Sequence, residues 1–176
     1  MVYNLWLLRI KFLHRKSKTL DHREIVMPII INDLDDGLGV SITGQGALTD
    51  DEFGNALKSH LTQDQDKFKR YRYSLADYTN VTKVEVSIET VKYIANLCVS
   101  SAKVNPSVVH ADVANQDLIF GLARMAEILR DLTGWESMVF RNRKDAEIWI
   151  KEKVKEKYGL SDLTMGSTRQ RERRRR

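Results

Sequence analysis

Apolar positions from residue 29 onward alternate between short β-rich runs and stretches with helical spacing. Two apolar runs, 29–31 and 38–44, flank Asp35-Asp36-Gly37, where glycine supplies the positive φ of a tight turn. These two runs predict a β-hairpin. Three further strands are predicted over residues 71–77, 108–113 and 137–140.

Helical signals follow most of these strands. Thr49 with Glu52 three residues later is a capping box, which predicts a helix that runs to residue 61. Apolar residues at 3.6-residue spacing predict helices over 87–103, 117–132 and 144–158, whereas the polar stretch 62–70 predicts a loop. Repeated strand-then-helix order brings the later strands in parallel. The predicted fold is therefore α/β: a mixed sheet of about five strands that opens with a β-hairpin, with about four helices packed against it.

The third predicted helix carries the most informative pattern. On a wheel at about 100° per residue, its broad apolar face predicts the side that meets the core. That face comprises Leu118, Leu122, Met125, Ala126, Leu129 and Leu132. The opposite arc carries Phe120, Arg124, Glu127, Arg130 and Asp131. An aromatic residue one turn from an arginine on a polar face predicts an interaction surface of Phe120, Arg124, Glu127 and Asp131. The alternative is that Phe120 folds back under a neighbouring loop.

Charge separates the 176 residues into three parts. The net charge of +5 divides into +4 for residues 1–26, −3 for 27–159 and +4 for 160–176. Because a nucleic-acid-binding domain places its basic residues on the folded face, this division argues against specific nucleic-acid binding. The single cysteine, Cys98, has no internal partner for a disulfide, and no apolar run is long enough to span a membrane. We expect a cytoplasmic protein without a transmembrane segment.

The same division predicts the domain boundaries. Residues 27–159 are expected to form one domain, and the arginine-rich residues 160–176 a disordered tail. Residues 1–26 are expected to be a basic extension that is disordered or not part of the native chain, since Met27-Pro28-Ile29 is typical of a chain start. A peripheral membrane anchor is the alternative for this segment.

Signatures of cofactor or metal binding are weak. Gly44-Gln45-Gly46 lacks the third glycine of a dinucleotide fingerprint, and the four histidines are scattered without metal-ligand spacing. We therefore predict no cofactor and no metal. One catalytic alternative has physical content: Asp77 and Asp112 each fall near the carboxyl end of a predicted strand, where catalytic groups gather in open α/β sheets. The competing interpretation is that each aspartate caps a loop or the helix that follows.

Three segments carry a family resemblance. They are Gly44-Gln45-Gly46-Ala47-Leu48-Thr49 before the first helix, Leu75-Ala76-Asp77-Tyr78-Thr79, and Phe120-Gly121-Leu122-Ala123-Arg124-Met125. With these segments, residues 27–158 resemble the STAS domain superfamily, and most closely its SpoIIAA-like (STAS/SEC14-like) group. The resemblance implies a non-enzymatic recognition module.

The resemblance also points to Ser87 as a phosphorylation site, because regulated members carry a phosphorylated serine at the start of the second helix. Signalling members have Asp-Ser-Ser-Gly there, whereas this chain has Glu85-Val86-Ser87-Ile88. A plain helix cap is the favoured role of Ser87.

Three functions follow from these observations. We expect a protein-interaction or regulatory module whose partner is another protein or a second copy of the chain. A small-ligand or lipid carrier is the alternative that the SEC14-like resemblance permits, and it requires a roomy apolar pocket between sheet and helices. An enzyme that uses Asp77 and Asp112 is the third, and it requires their carboxyl groups to converge.

Overall fold

A five-stranded mixed sheet with helices on both faces forms the part of the chain, residues 28–165, that this computed structural model describes. The strands are β1 Ile29–Leu34, β2 Gly39–Thr49, β3 Tyr73–Glu85, β4 Val109–Val113 and β5 Glu136–Phe140. The helices are α1 Asp50–Thr62, α2 Gln65–Phe68, α3 Ile88–Ala102, α4 Asp117–Arg130 and α5 Arg143–Tyr158. Strand order in the sheet is β1-β2-β3-β4-β5, with β1 antiparallel to β2 and every later pair parallel. The predicted α/β fold is confirmed.

The opening hairpin forms as the sequence predicts. Ile31 lies opposite Ile42, and a 3-10 turn over Asp35–Gly37 joins the two strands. Gly37 has φ 87°, and Asp35 and Asp36 also have positive φ, which their short polar side chains tolerate better than most. The turn is built from the residues that best accept this backbone.

Two elements differ from the prediction. Strand β3 continues past Asp77 to Glu85, where it pairs with the second half of β2 as a two-stranded extension. Its alternation of exposed polar residues with buried Val81 hid this strand in the sequence. The predicted loop 62–70 contains the short helix α2, because Asp64 caps it through the Lys67 amide and Phe68 packs into the core.

Helix starts follow local capping chemistry. Thr49 accepts a hydrogen bond from the Glu52 amide, Ser87 from the Thr90 amide and Asn142 from the Asp145 amide. Helix α4 has no such side-chain cap, since Gln116 instead donates its side-chain amide to the Val81 carbonyl at 2.5 Å.

The sheet separates two apolar cores. Helices α1, α3 and α4 pack on one face, to which β3 contributes Ala76 and Tyr78 and to which Val108, just before β4, also belongs. Helix α5 covers the other face through Ala146, Ile150 and Val154. Because neighbouring residues of a strand point to opposite faces, β3 contributes to both cores, and its Tyr73 and Leu75 lie in the second.

Residues 160–165 pack against the second core and correct the predicted boundary at 159. Leu163 and Met165 are buried there. Asp35 in the hairpin turn accepts hydrogen bonds from the Thr164 hydroxyl at 2.6 Å and from the Met165 amide at 3.2 Å. The folded unit therefore extends at least to Met165. The predicted N-terminal extension and the remainder of the arginine-rich tail lie outside the described residues.

Candidate functional site

A cavity of about 90 Å³ lies between the sheet and the helices α1, α3 and α4. Most of its lining side chains are aliphatic or aromatic, and strands β2 to β4 form its floor. Four charged or histidine side chains also line it: His60, His110, Asp112 and Arg130. The cavity is therefore an apolar chamber with a small polar region.

A cluster of ring side chains forms one wall of this cavity. His60 of α1 lies 6.2 Å from the Phe68 ring and 5.8 Å from the Tyr71 ring, measured between centroids. Trp135 lies 6.1 Å from Phe68, and its indole N–H donates to the Asn105 carbonyl at 2.8 Å. Burial, together with the nearby positive charge of Lys67, lowers the pKa of His60 to about 4. His60 is therefore neutral at pH 7.

An open groove of about 370 Å³ lies on the other side of that wall. It runs between β1 and the α1–α2 region, and His60 and Tyr71 line both the groove and the cavity. Tyr71 donates a hydrogen bond to Asp33 at 2.8 Å, which holds its ring in place. The structure thus separates the cavity from the groove by two ring side chains.

The polar region of the cavity is built by β4 and the end of α4. Asp112 accepts a hydrogen bond from Arg130 Nη2 at 2.5 Å. His110, two residues before Asp112 on the same strand face, has its Nε2 atom 3.1 Å from Asp112 Oδ2, off the line that a hydrogen bond needs. Burial raises the pKa of Asp112, but the neighbouring His110 and Arg130 lower it further, to well below its ordinary value. Asp112 is thus an ionised, paired carboxylate in the interior.

Cys98 lines the same cavity from α3. The thiol is buried, and burial raises its pKa to about 11, so it stays protonated at pH 7. Its predicted place in the core is confirmed.

Asp77 faces the opposite side of the sheet from Asp112. In the register of β3 and β4, Ala76 pairs with Asp112 and Asp77 pairs with Val113, so the two carboxylates point to different faces. Asp77 accepts hydrogen bonds from the Thr79 hydroxyl at 2.7 Å and from Arg143 of α5 at 3.2 Å. The paired-carboxylate site required convergence, and the register of the strands prevents it.

The predicted core face of α4 is right only in part, since Leu122 and Ala126 line the cavity but other members of that face lie in solvent. Leu118 and Leu132 are 62% and 85% exposed, whereas Glu127 and Arg130 are buried. The observed buried face is rotated by about 100° from the predicted one. Ion pairs cause the rotation, because Arg130 bonds Asp112 and Glu127 bonds Arg124, and paired charges tolerate burial.

The four residues of the predicted interaction surface do not share one exposed face. Phe120 packs partly against the core, and the Arg141 guanidinium lies 3.8 Å from its ring centroid. Glu127 is buried, while Arg124 and Asp131 are exposed. The geometry matches the alternative in which a neighbouring loop covers Phe120, since Arg141 lies between β5 and α5.

Ser87 is the N-cap of α3 and also contacts α1. Its hydroxyl accepts from the Thr90 amide at 3.2 Å, and its amide donates to Asp50 Oδ1 at 2.7 Å. The Ser87 hydroxyl also donates to the same Asp50 oxygen at 3.1 Å. Ser87 therefore joins the starts of two helices, next to a carboxylate.

Sequence reasoning missed His110 and Arg130. The signal was present in β4, where a histidine and an aspartate two residues apart must share one face of a fully buried strand. Two ionisable groups on a buried face require a partner from the element that covers them, and α4 offers Arg130.

In comparison with known proteins, no family model and no curated sequence matches this chain. Within residues 28–165, no helix has the length and apolar character to cross a membrane. The same residues include no cluster of three or more potential metal ligands from histidine, cysteine, aspartate and glutamate.

Proposed function

We propose that this chain is a non-enzymatic binding domain that holds a small, largely apolar ligand in the cavity between the sheet and α1, α3 and α4. The cavity itself is the observation that carries the proposal. A carrier function required a roomy apolar pocket at this place, and a close-packed core would have counted against it.

The size of the cavity supports an occupant. Protein interiors contain few voids larger than a water molecule, because atoms around a void lose their dispersion contacts. Since an apolar cavity of about 150 Å³ holds benzene, this cavity of about 90 Å³ offers space for roughly three to four non-hydrogen atoms. An apolar ligand of that size restores the missing contacts, whereas water gains few hydrogen bonds from aliphatic walls.

The STAS-like resemblance is part of the same proposal. A mixed sheet that opens with a hairpin and carries helices on both faces supports it. SEC14-like members are the branch for which the resemblance permits a carrier role.

A cavity-filling substitution tests the binding proposal. Ala126 lines the cavity from α4, so we expect Ala126→Leu to occupy its space and weaken binding of isobutene, an apolar probe of four non-hydrogen atoms, at least tenfold. Binding is followed by probe-induced chemical-shift changes in two-dimensional NMR spectra of the full chain.

Gly121→Leu on the same helix is the matched control, because a Cβ at Gly121 meets no atom within 4 Å. We expect this variant to bind the probe as the parent chain does. Failure of the parent chain to bind the probe, or equal binding by Ala126→Leu, contradicts the proposal.

Association with a second copy of the chain is the second candidate function. The observation that favours it is the outer face of α4, where Leu118, Ile128 and Leu132 are largely exposed. One such face on each copy is enough to form a two-fold pair. If this function is correct, the chain sediments as a dimer and Leu132→Lys shifts it to monomer, with Lys144→Ala on α5 as the unaffected control. A parent chain that stays monomeric at 100 μM contradicts it.

A further inference from the structure

The polar region of the cavity contains two nitrogen atoms that make no hydrogen bond within the described part of the chain, although His110 Nε2 lies 3.1 Å from Asp112 Oδ2. Arg130 Nε and His110 Nε2 are buried without a hydrogen-bond partner among residues 28–165. Both side chains line the cavity, and the residues are 5% and 7% exposed. A buried donor without a partner is unfavourable, and native proteins keep few of them.

The geometry explains why these two atoms stay unpaired. Arg130 already uses Nη2 to bond Asp112, which leaves its Nε–H without an acceptor. The imidazole of His110 is close to the same carboxylate but off line, and its ring lies against Trp135 at 6.5 Å between centroids. A ligand oxygen in the cavity satisfies donors that the protein itself leaves free.

Charge balance selects the kind of oxygen. Asp112 offsets the positive charge of Arg130, and Glu127 on the same helix pairs with Arg124. A ligand carboxylate here would lie beside the ionised Asp112 carboxylate, and two buried negative charges side by side repel each other strongly. A neutral carbonyl oxygen accepts hydrogen bonds without this penalty.

The other lining residues and the volume of the cavity indicate the size and polarity of the rest of the ligand. Apart from this polar region, the cavity is lined mainly by aliphatic and aromatic side chains and offers space for roughly three to four non-hydrogen atoms. The ligand must therefore be compact and apolar except at one end.

We propose that the cavity binds a small neutral carbonyl compound, a ketone, aldehyde or amide of about four non-hydrogen atoms, whose oxygen accepts hydrogen bonds from Arg130 Nε and His110 Nε2. This inference rests on the binding function proposed above and adds the chemical class of the ligand.

Two isosteric probes separate this inference from the binding function. Acetone and isobutene have the same shape, but only the ketone accepts hydrogen bonds. Water solvates a ketone better than an alkene, so a cavity without donors binds the ketone more weakly. We expect the full chain to bind acetone at least threefold more tightly than isobutene, measured by NMR titration at pH 7.

Substitutions at the two donors assign the preference. His110→Leu removes one donor and leaves the Arg130–Asp112 pair intact, so we expect it to reverse the order of the two probes. His110→Gln keeps an N–H donor and should retain the preference. Arg130→Lys keeps a positive charge beside Asp112 but removes Nε, and we expect it to act like His110→Leu.

Each outcome decides one of the two proposals. If both probes bind and the alkene binds as tightly as the ketone or more so, the carbonyl inference fails and the binding function stands. If neither probe binds, the binding function fails and the inference with it. If acetate binds more tightly than acetone, the ligand is an anion and the neutral-carbonyl inference is overturned. If a donor variant does not fold, the comparison of probes in the parent chain still decides.

Discussion

His60 stands where the cavity meets the groove, and its neutral ring is a source of stability that depends on pH. Burial and Lys67 lower its pKa from 6.5 to about 4, with Asp33 opposing and His110 adding to the shift. Since the folded-state pKa lies below the unfolded one, this stability is fully present above pH 6.5 and is lost as pH falls toward 4. We expect a loss of about 3 kcal/mol across that range.

Urea unfolding of the chain and of His60→Phe at pH 7.5 and 4.5 measures this loss. The variant keeps a ring beside Phe68 and Tyr71 but does not titrate. We expect the free energy of unfolding to fall less between the two pH values in the variant than in the parent chain. Equal falls would show that carboxylates alone cause the pH dependence.

Substitutions at Ser87 test whether the structure tolerates a second negative charge where α1 and α3 begin. Its amide and hydroxyl both donate to the Asp50 carboxylate, and the backbone hydrogen bond from Ser87 is the main cause that lowers the pKa of Asp50. Ser87→Ala loses one helix cap, which costs about 1 kcal/mol. We expect Ser87→Asp to unfold at a lower temperature than Ser87→Ala, because the new carboxylate faces Asp50.

Asp50→Asn is the companion variant for this prediction. In that background the repulsion is gone, and Ser87→Asp should be at least as stable as Ser87→Ala, since aspartate is a good N-cap. If Ser87→Asp matches the parent chain in thermal unfolding, a phosphate at this position becomes acceptable and the phosphorylation hypothesis gains support.

At the scale of elements, α4 shows where hydrophobic patterning reaches its limit. A wheel assigns charged residues to solvent, and this assignment holds for most helices because isolated buried charges are unfavourable. In α4 the arginine at position 130 and the glutamate at 127 are buried because each has an opposite charge beside it. The partner of Arg130, Asp112, lies on β4, and the sequence of the helix alone does not indicate it.

The segment after α5 is the element whose removal should matter most for stability. Leu163 and Met165 complete the second core, and Thr164 bonds Asp35. We expect deletion of residues 160–176 to lower the free energy of unfolding by several kcal/mol, because buried leucine and methionine each contribute on that scale. Urea denaturation monitored by tryptophan fluorescence measures the change.

A double substitution localises this effect. Leu163→Ala with Met165→Ala should reproduce most of the loss, whereas Ser161→Ala, which is exposed, should not change stability. A deletion variant as stable as the full chain would restore the boundary at 159 that the charge pattern predicted.

At the scale of the whole molecule, strand and helix order followed from local patterns, and so did the hairpin and the helix caps at Thr49 and Ser87. Each depends on residues close together in sequence. The cavity does not, because its walls come from β2 to β4 and from three helices, and its volume is set by how those elements pack. The sequence identified Asp112 as a candidate site residue. Its partner Arg130, and the sheet face on which it lies, could be recognised only from the register of the strands.

The bond from Asp35 to Thr164 spans 129 residues and has a consequence for the order of synthesis. The hairpin turn leaves the ribosome early, whereas the hydroxyl and amides that solvate its carboxylate emerge near the end of the described chain. Until then, Asp35 lacks the hydrogen bonds from Thr164 and Met165, and the second core lacks Leu163 and Met165. The nascent chain therefore completes this domain only after translation has passed Met165, so a ribosome stalled before that point presents an unfinished surface to chaperones and proteases.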